Sequence, residues 1–235
     1  MQSTDFPFAI FWLLLSIFSS IPLLLLGARI PPRLLRFVLI GRWLLIPYLG
    51  LLTGAISPRL MGLSGANWVT SLGLGLVFVF AAFVLLTLVR ATLTAHHSNS
   101  ESSQPVRRMQ WEPVQPNIHR IDWTTYGWIL ILAGCTEFHW AFLRAAVQET
   151  LIVLAVGDVA ALYVAIWGAA LLAAPDVLLR ASKALSRIVQ TSTLAATSIL
   201  FFYTQNFWLC WILHASMQFL LNEEAGADHH RKDHE

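Results

Sequence analysis

Apolar residues in this chain are gathered into long runs separated by short polar connections. The runs cover about 8–26, 37–56, 68–93, 124–148, 150–173, 177–203 and 207–221. Most approach the roughly 20 residues a helix needs to cross a hydrocarbon core of about 30 Å. The pattern predicts an all-α, polytopic membrane helical bundle of about seven transmembrane helices plus a short amphipathic helix. Pro47 interrupts the second run, and the fifth follows the fourth after almost no loop. The sixth starts near Val177 as an amphipathic stretch. Its Arg180, Lys183 and Arg187 stand at i, i+3 and i+7 on one face. A single transmembrane domain is expected over 1–221, with a polar cytoplasmic linker at about 95–122 and a flexible charged tail at 222–235.

Charge gives the expected orientation. Arg29, Arg33, Arg36 and Arg42 surround the first connection, and Arg90, Arg107, Arg108 and Arg120 flank the third. Arg180, Lys183 and Arg187 mark the fifth, and Arg231 and Lys232 lie in the tail. Only Arg59 and Arg144 of the 15 basic residues fall elsewhere. Positive charge on every second connection predicts an integral multi-pass protein, of bacterial plasma-membrane type, with its N-terminus outside and its C-terminus cytoplasmic.

Composition narrows the function classes. Of 235 residues, 57% are apolar and 12% charged, against about 25% charged in a soluble domain. A soluble enzyme is excluded on this pattern. Net charge is +2 with no basic block, so no nucleic-acid partner is expected. The first seven residues hold Asp5 and no Lys or Arg, so no cleavable signal peptide is expected. Cys135 and Cys210 both fall in apolar runs and read as small buried hydrophobes. Gly50 and Gly54 form a small-xxx-small pair that reads as helix packing.

Ionisable groups inside apolar spans are costly, so they point to function or to a structural pair. Glu137 and Arg144 are seven residues apart on the fourth run and share a helix face, while His139 points away from Glu137. On the seventh run, His214, Gln218 and Asn222 follow i, i+4, i+8 as one polar stripe. Glu137 lies about 13 residues from the cytoplasmic end of its span, or roughly 20 Å, and His214 about seven from the outer end, or roughly 10 Å. Across about 30 Å these depths coincide, nearer the outer face. Glu137 and His214 therefore meet if the two helices are neighbours. Asp158, in the fifth run with Tyr163, has no partner on its own helix and could pair with Arg144. The histidines of 228–234 read as part of the tail.

On these residues the chain resembles the CPBP family of intramembrane endopeptidases, which includes CAAX proteases and bacteriocin-processing enzymes. Glu137 to Arg144 stands where the family has Glu-Glu-x-x-x-Arg. The stretch from Thr204 through His214 to Gln218 is similar to its terminal His-x-x-x-Asn motif and lead-in. The segment 57–68 is also similar, and the resemblance spans roughly 50–221. Phe138 stands where a second Glu is usual, and the fifth run has no histidine.

The resemblance implies hydrolysis of a peptide bond in a membrane-associated protein or peptide. In it Glu137 would activate water, beside Arg144, and His214 and Gln218 would donate to the oxyanion. No cofactor is expected, and Glu137 with His214 leaves a zinc short of its usual three protein ligands. The alternative is a catalytically inactive membrane subunit that clamps a partner helix, a lipid or a pigment. The expected partners are the lipid bilayer, a membrane-protein or peptide substrate, and a membrane-complex partner.

Overall fold

A computed structural model describes residues 8–26, 31–101, 123–180 and 184–232. These form eight α-helices, with no strand among the described residues. In chain order they are α1 (Phe8–Phe18), α2 (Ser20–Leu26), α3 (Pro32–Leu52), α4 (Trp68–Glu101), α5 (Trp123–Val153), α6 (Asp158–Arg180), α7 (Ala184–Thr204) and α8 (Phe207–Lys232).

Two helices carry stretches long and apolar enough to cross a membrane, Tyr126–Val153 and Asp158–Val177. Shorter apolar stretches lie at Phe8–Leu23, Phe37–Leu52 and Trp68–Val84. Helix α5 is the hub and packs against α1, α3, α6 and α8, while α7 joins α6 to α8 and α4 leans on α7 and α8. One core centres on α5, with Trp140, Phe142 and Leu143 against Ile46, Met61 and Leu194. A second lies between α6, α7 and α8, around Ile166, Phe201 and Leu213.

Several boundaries differ from those the sequence suggests. The first run is two helices, broken at Ser19, and the Arg42 side chain bonds across the break. Pro47 lies inside α3 without ending it, although it removes one backbone donor. Helix α3 begins earlier, with Pro at its first position, where a missing N–H costs nothing. It stops at Gly54, whose φ of +70° turns the chain left-handed and whose N–H reaches the Leu51 carbonyl. Gly50 alone serves packing: a Cβ there would lie 2.9 Å from the Phe142 ring. The expected Gly50/Gly54 packing pair is thus one packing residue and one helix stop.

Residues 150–153 belong to α5, and α6 starts only at Asp158. Ala155, at φ +58°, makes the reversal between them, and Val156 N–H bonds Leu151 O at 3.0 Å. Asp158 is exposed at the first turn of α6, where its charge favours the helix N-terminus, and it is not the partner of Arg144. Val177 and Arg180 finish α6 while Arg187 lies in α7, so the expected basic face does not run along one helix. Lys183 lies outside the described residues. Helix α4 extends to Glu101, into the expected linker, whose residues 102–122 lie outside the description. Helix α8 continues to Lys232, so residues 222–232 are helical where a flexible tail is expected.

Helix α8 has a firm start. The Asn206 side-chain oxygen accepts from the N–H groups of Trp208 (3.0 Å) and Leu209 (3.4 Å), an N-cap. The loop between α3 and α4 reaches this point: Phe207 N–H donates to Gly62 O at 3.1 Å. Gly62 has φ +73°, and a Cβ there would lie 2.7 Å from the Gln205 carbonyl oxygen. Ile56 and Met61 of the same loop are buried. The loop therefore closes the end of the bundle where α7 turns into α8.

Candidate active site

Glu137 and Arg144 lie two turns apart on the hub helix, which faces the protein interior over that stretch. Glu137 is fully buried and Arg144 is 2% exposed. Arg144 Nη2 donates to Glu137 Oε1 at 2.5 Å, a buried charge-assisted hydrogen bond. The second oxygen, Oε2, lies 3.4 Å from His214 Nδ1 on α8. The acid and the imidazole, 77 residues apart in sequence, thus meet between α5 and α8. In the tautomer carrying its proton on Nδ1, His214 donates to Oε2.

Aromatic rings fix both partners of the carboxylate. The Trp140 ring lies against the His214 ring, with centroids 4.9 Å apart and planes 23° from parallel. The Arg144 guanidinium sits 4.3 Å over the Phe201 ring on α7. Arg144 Nε is buried without a hydrogen-bond partner among the described residues. His139 points elsewhere on α5, stacked near Phe142 with centroids 6.5 Å apart.

A partly open cavity of about 160 Å³ adjoins the cluster. That space holds several water molecules or a small side chain. His214 and Gln218 form its α8 wall, Thr136 and Trp140 part of its α5 wall, and Gln190 and Thr193 its α7 wall. Asp176 of α6 completes the polar lining. Glu137 and Arg144 do not line this cavity; they sit behind His214. The lining residues lie towards the starts of α5 and α7, the end of α6 and the first half of α8. The cavity thus lies towards the opposite end from the loop at Gly62, although the sequence places the pair nearer that loop.

Asp176 connects the cavity to a second polar cluster. Arg42 Nη1 bonds Asp176 Oδ2 at 3.0 Å, and Arg42 Nε bonds Ser19 Oγ at 2.9 Å. Its Nη2 reaches the Ser16 carbonyl oxygen at 3.2 Å and the Ser20 hydroxyl. One guanidinium therefore ties the α1–α2 break to α3 and α6 at the cavity wall.

The structure brings Glu137, Arg144 and His214 together, and Gln218 shares the cavity wall with His214. Sequence reasoning missed Trp140 as the ring against His214, the Arg42–Asp176 pair, and the α7 contribution of Gln190 and Thr193. Helix α7 carries several further Ser and Thr residues, so Gln190 and Thr193 gave no local signal of their own. Asn222 lies in α8, but its side chain falls outside the described residues. Cys135 and Cys210 are free and buried, and Cys210 Sγ donates to Thr197 O at 3.5 Å. Among the described residues no three His, Cys, Asp or Glu side chains converge on a point that could hold a metal.

Comparison with protein-family models, with curated proteins and with solved structures finds no match for this chain.

Proposed function

We propose that this chain is a multi-span membrane hydrolase of the CPBP-like intramembrane endopeptidase kind, acting on a peptide bond of a membrane-associated protein or peptide. The observation that carries the reading is the buried Glu137–His214 contact of 3.4 Å beside a cavity walled by His214 and Gln218. A carboxylate, an imidazole and an amide donor are the groups that water activation and oxyanion stabilisation require. The resemblance of the motifs around Glu137, Arg144 and His214 adds to this.

Placement in a membrane is supported by the uncovered apolar faces. Phe11, Leu45, Val69, Phe80, Val159 and Leu171 are all exposed on the outsides of α1, α3, α4 and α6. Soluble monomers rarely leave contiguous apolar surface of this kind. With basic connections at the cytoplasmic side, the cavity end of the bundle is the cytoplasmic end. A substrate segment would then enter from the cytoplasmic face, as CAAX-type processing requires.

A second reading is favoured by the burial of Glu137 itself. An acid with no exposure, bonded to a buried guanidinium, also serves as a structural pair in a non-catalytic subunit that clamps a partner helix, a lipid or a pigment. Cleavage of a membrane-tethered peptide library by the purified wild type, Glu137→Ala and His214→Ala proteins separates the two. Cleavage lost in both variants supports the peptidase. Equal background in all three supports the subunit.

A further inference from the structure

We propose that the His214 imidazole, and not the Glu137 carboxylate, is the group that takes and returns the proton at the cavity, with Glu137 acting through it as a positioning residue. The inference rests on the peptidase reading and reassigns roles within that site.

Access decides between the two groups. Glu137 has no exposed surface, and Arg144 and His214 each face one of its carboxylate oxygens. On α5 the cavity wall includes Ala133, Thr136 and Trp140. Glu137 stands one i, i+4 step from Ala133, about 40° around the helix at the edge of that wall, but it is fully buried and is not itself a lining residue. His214, in contrast, both touches Glu137 and lines the cavity. Its Nδ1 is on the carboxylate side, so Nε2 is the ring nitrogen left for the cavity. The Trp140 ring, 4.9 Å away, restricts rotation of the imidazole plane. A carboxylate that accepts from Nδ1–H selects the tautomer whose Nε2 carries a lone pair, and stabilises the imidazolium once a proton arrives.

The donor for the developing oxyanion comes from the amides of the wall, Gln218 on α8 and Gln190 on α7, of which Gln218 shares the helix of His214. The Thr136 hydroxyl donates to Leu132 O at 2.9 Å and the Thr193 hydroxyl to Val189 O at 2.8 Å. Their hydrogens are therefore used within their own helices. Gln218 stands one turn beyond His214 and offers its amide N–H groups at the same wall.

The step balances on water and the peptide. One water O–H bond breaks, its proton passes to His214 Nε2, and its oxygen bonds the carbonyl carbon. The carbonyl π pair moves to the oxygen, which accepts from Gln218. On collapse the C–N bond breaks, and the imidazolium proton passes to the departing amine nitrogen.

The test uses the full chain in detergent, with two reagents and two kinetic arms. Diethyl pyrocarbonate followed by peptide mass mapping should modify His214. Dicyclohexylcarbodiimide should label exposed Asp158 and leave Glu137 unmodified. In kinetics, Glu137→Gln should lower kcat by about 10²–10⁴-fold with KM within about twofold. Imidazole should restore cleavage to His214→Gly at least tenfold, while formate restores none to Glu137→Gly. Carbodiimide labelling of Glu137, or rescue by formate in place of imidazole, overturns the assignment while the wild type remains an active peptidase. A wild type that cleaves nothing overturns the peptidase reading, and the proton role with it. The labelling arms need no variant, so a misfolded substitution does not blunt the test.

Discussion

Removing one partner of the Glu137–Arg144 pair should cost more stability than removing both. At 2.5 Å and an effective dielectric of about 20, the attraction is roughly 7 kcal/mol. Taking the two charges out of water opposes this by several kcal/mol per ion. The pair is therefore near balance as a whole, but either ion alone is left buried and uncompensated. Arg144→Met keeps much of the volume and places a thioether against Phe201, which the guanidinium now covers at 4.3 Å. Arg144→Met and Glu137→Leu should each destabilise by about 3–5 kcal/mol. The double variant should recover most of that, so the singles are strongly non-additive. Unfolding by rising SDS fraction in mixed micelles, followed by helical circular dichroism, measures all four proteins. Singles costing under about 1 kcal/mol, or a double equal to their sum, would refute the account of a buried, mutually dependent ion pair.

Substitutions at two further positions probe how α8 is held. Asn206→Ala removes the cap of α8 and should cost about 1 kcal/mol, while Asn206→Ser should retain most of the stability; the same micellar unfolding assay reads both. Gly134→Ala would put a Cβ 2.9 Å from Trp211 Nε1, whose N–H bonds the Leu130 carbonyl oxygen at 3.0 Å. It should destabilise by about 1–3 kcal/mol and shift the tryptophan emission, because α8 must move off α5.

The sequence made the meeting of Glu137 and His214 legible because depth along a spanning helix can be counted residue by residue. Arg144 was legible for the same reason, at two turns from Glu137 on one face. The boundary between α5 and α6 was not, because residues 149–157 hold no proline and their only glycine, Gly157, is not the reversing residue. The reversal instead falls on Ala155 in the left-handed region, which composition does not announce. By sequence Arg42 is one more orientation charge. Its partner Asp176 lies 134 residues away, and no local pattern encodes such a pairing. Trp140 is one aromatic among the many apolar residues of α5, and only the packing of α8 gives its ring a role.

Helix α8 is pinned at its start by the Asn206 cap and the Phe207 bond to Gly62. Further along, Cys210, Trp211 and His214 tie its first two turns to α7 and α5. His214 stands about 10 Å from that start and Gln218 about 17 Å. The contact with Glu137 thus lies in the firmly tied part of α8, and Gln218 lies beyond it.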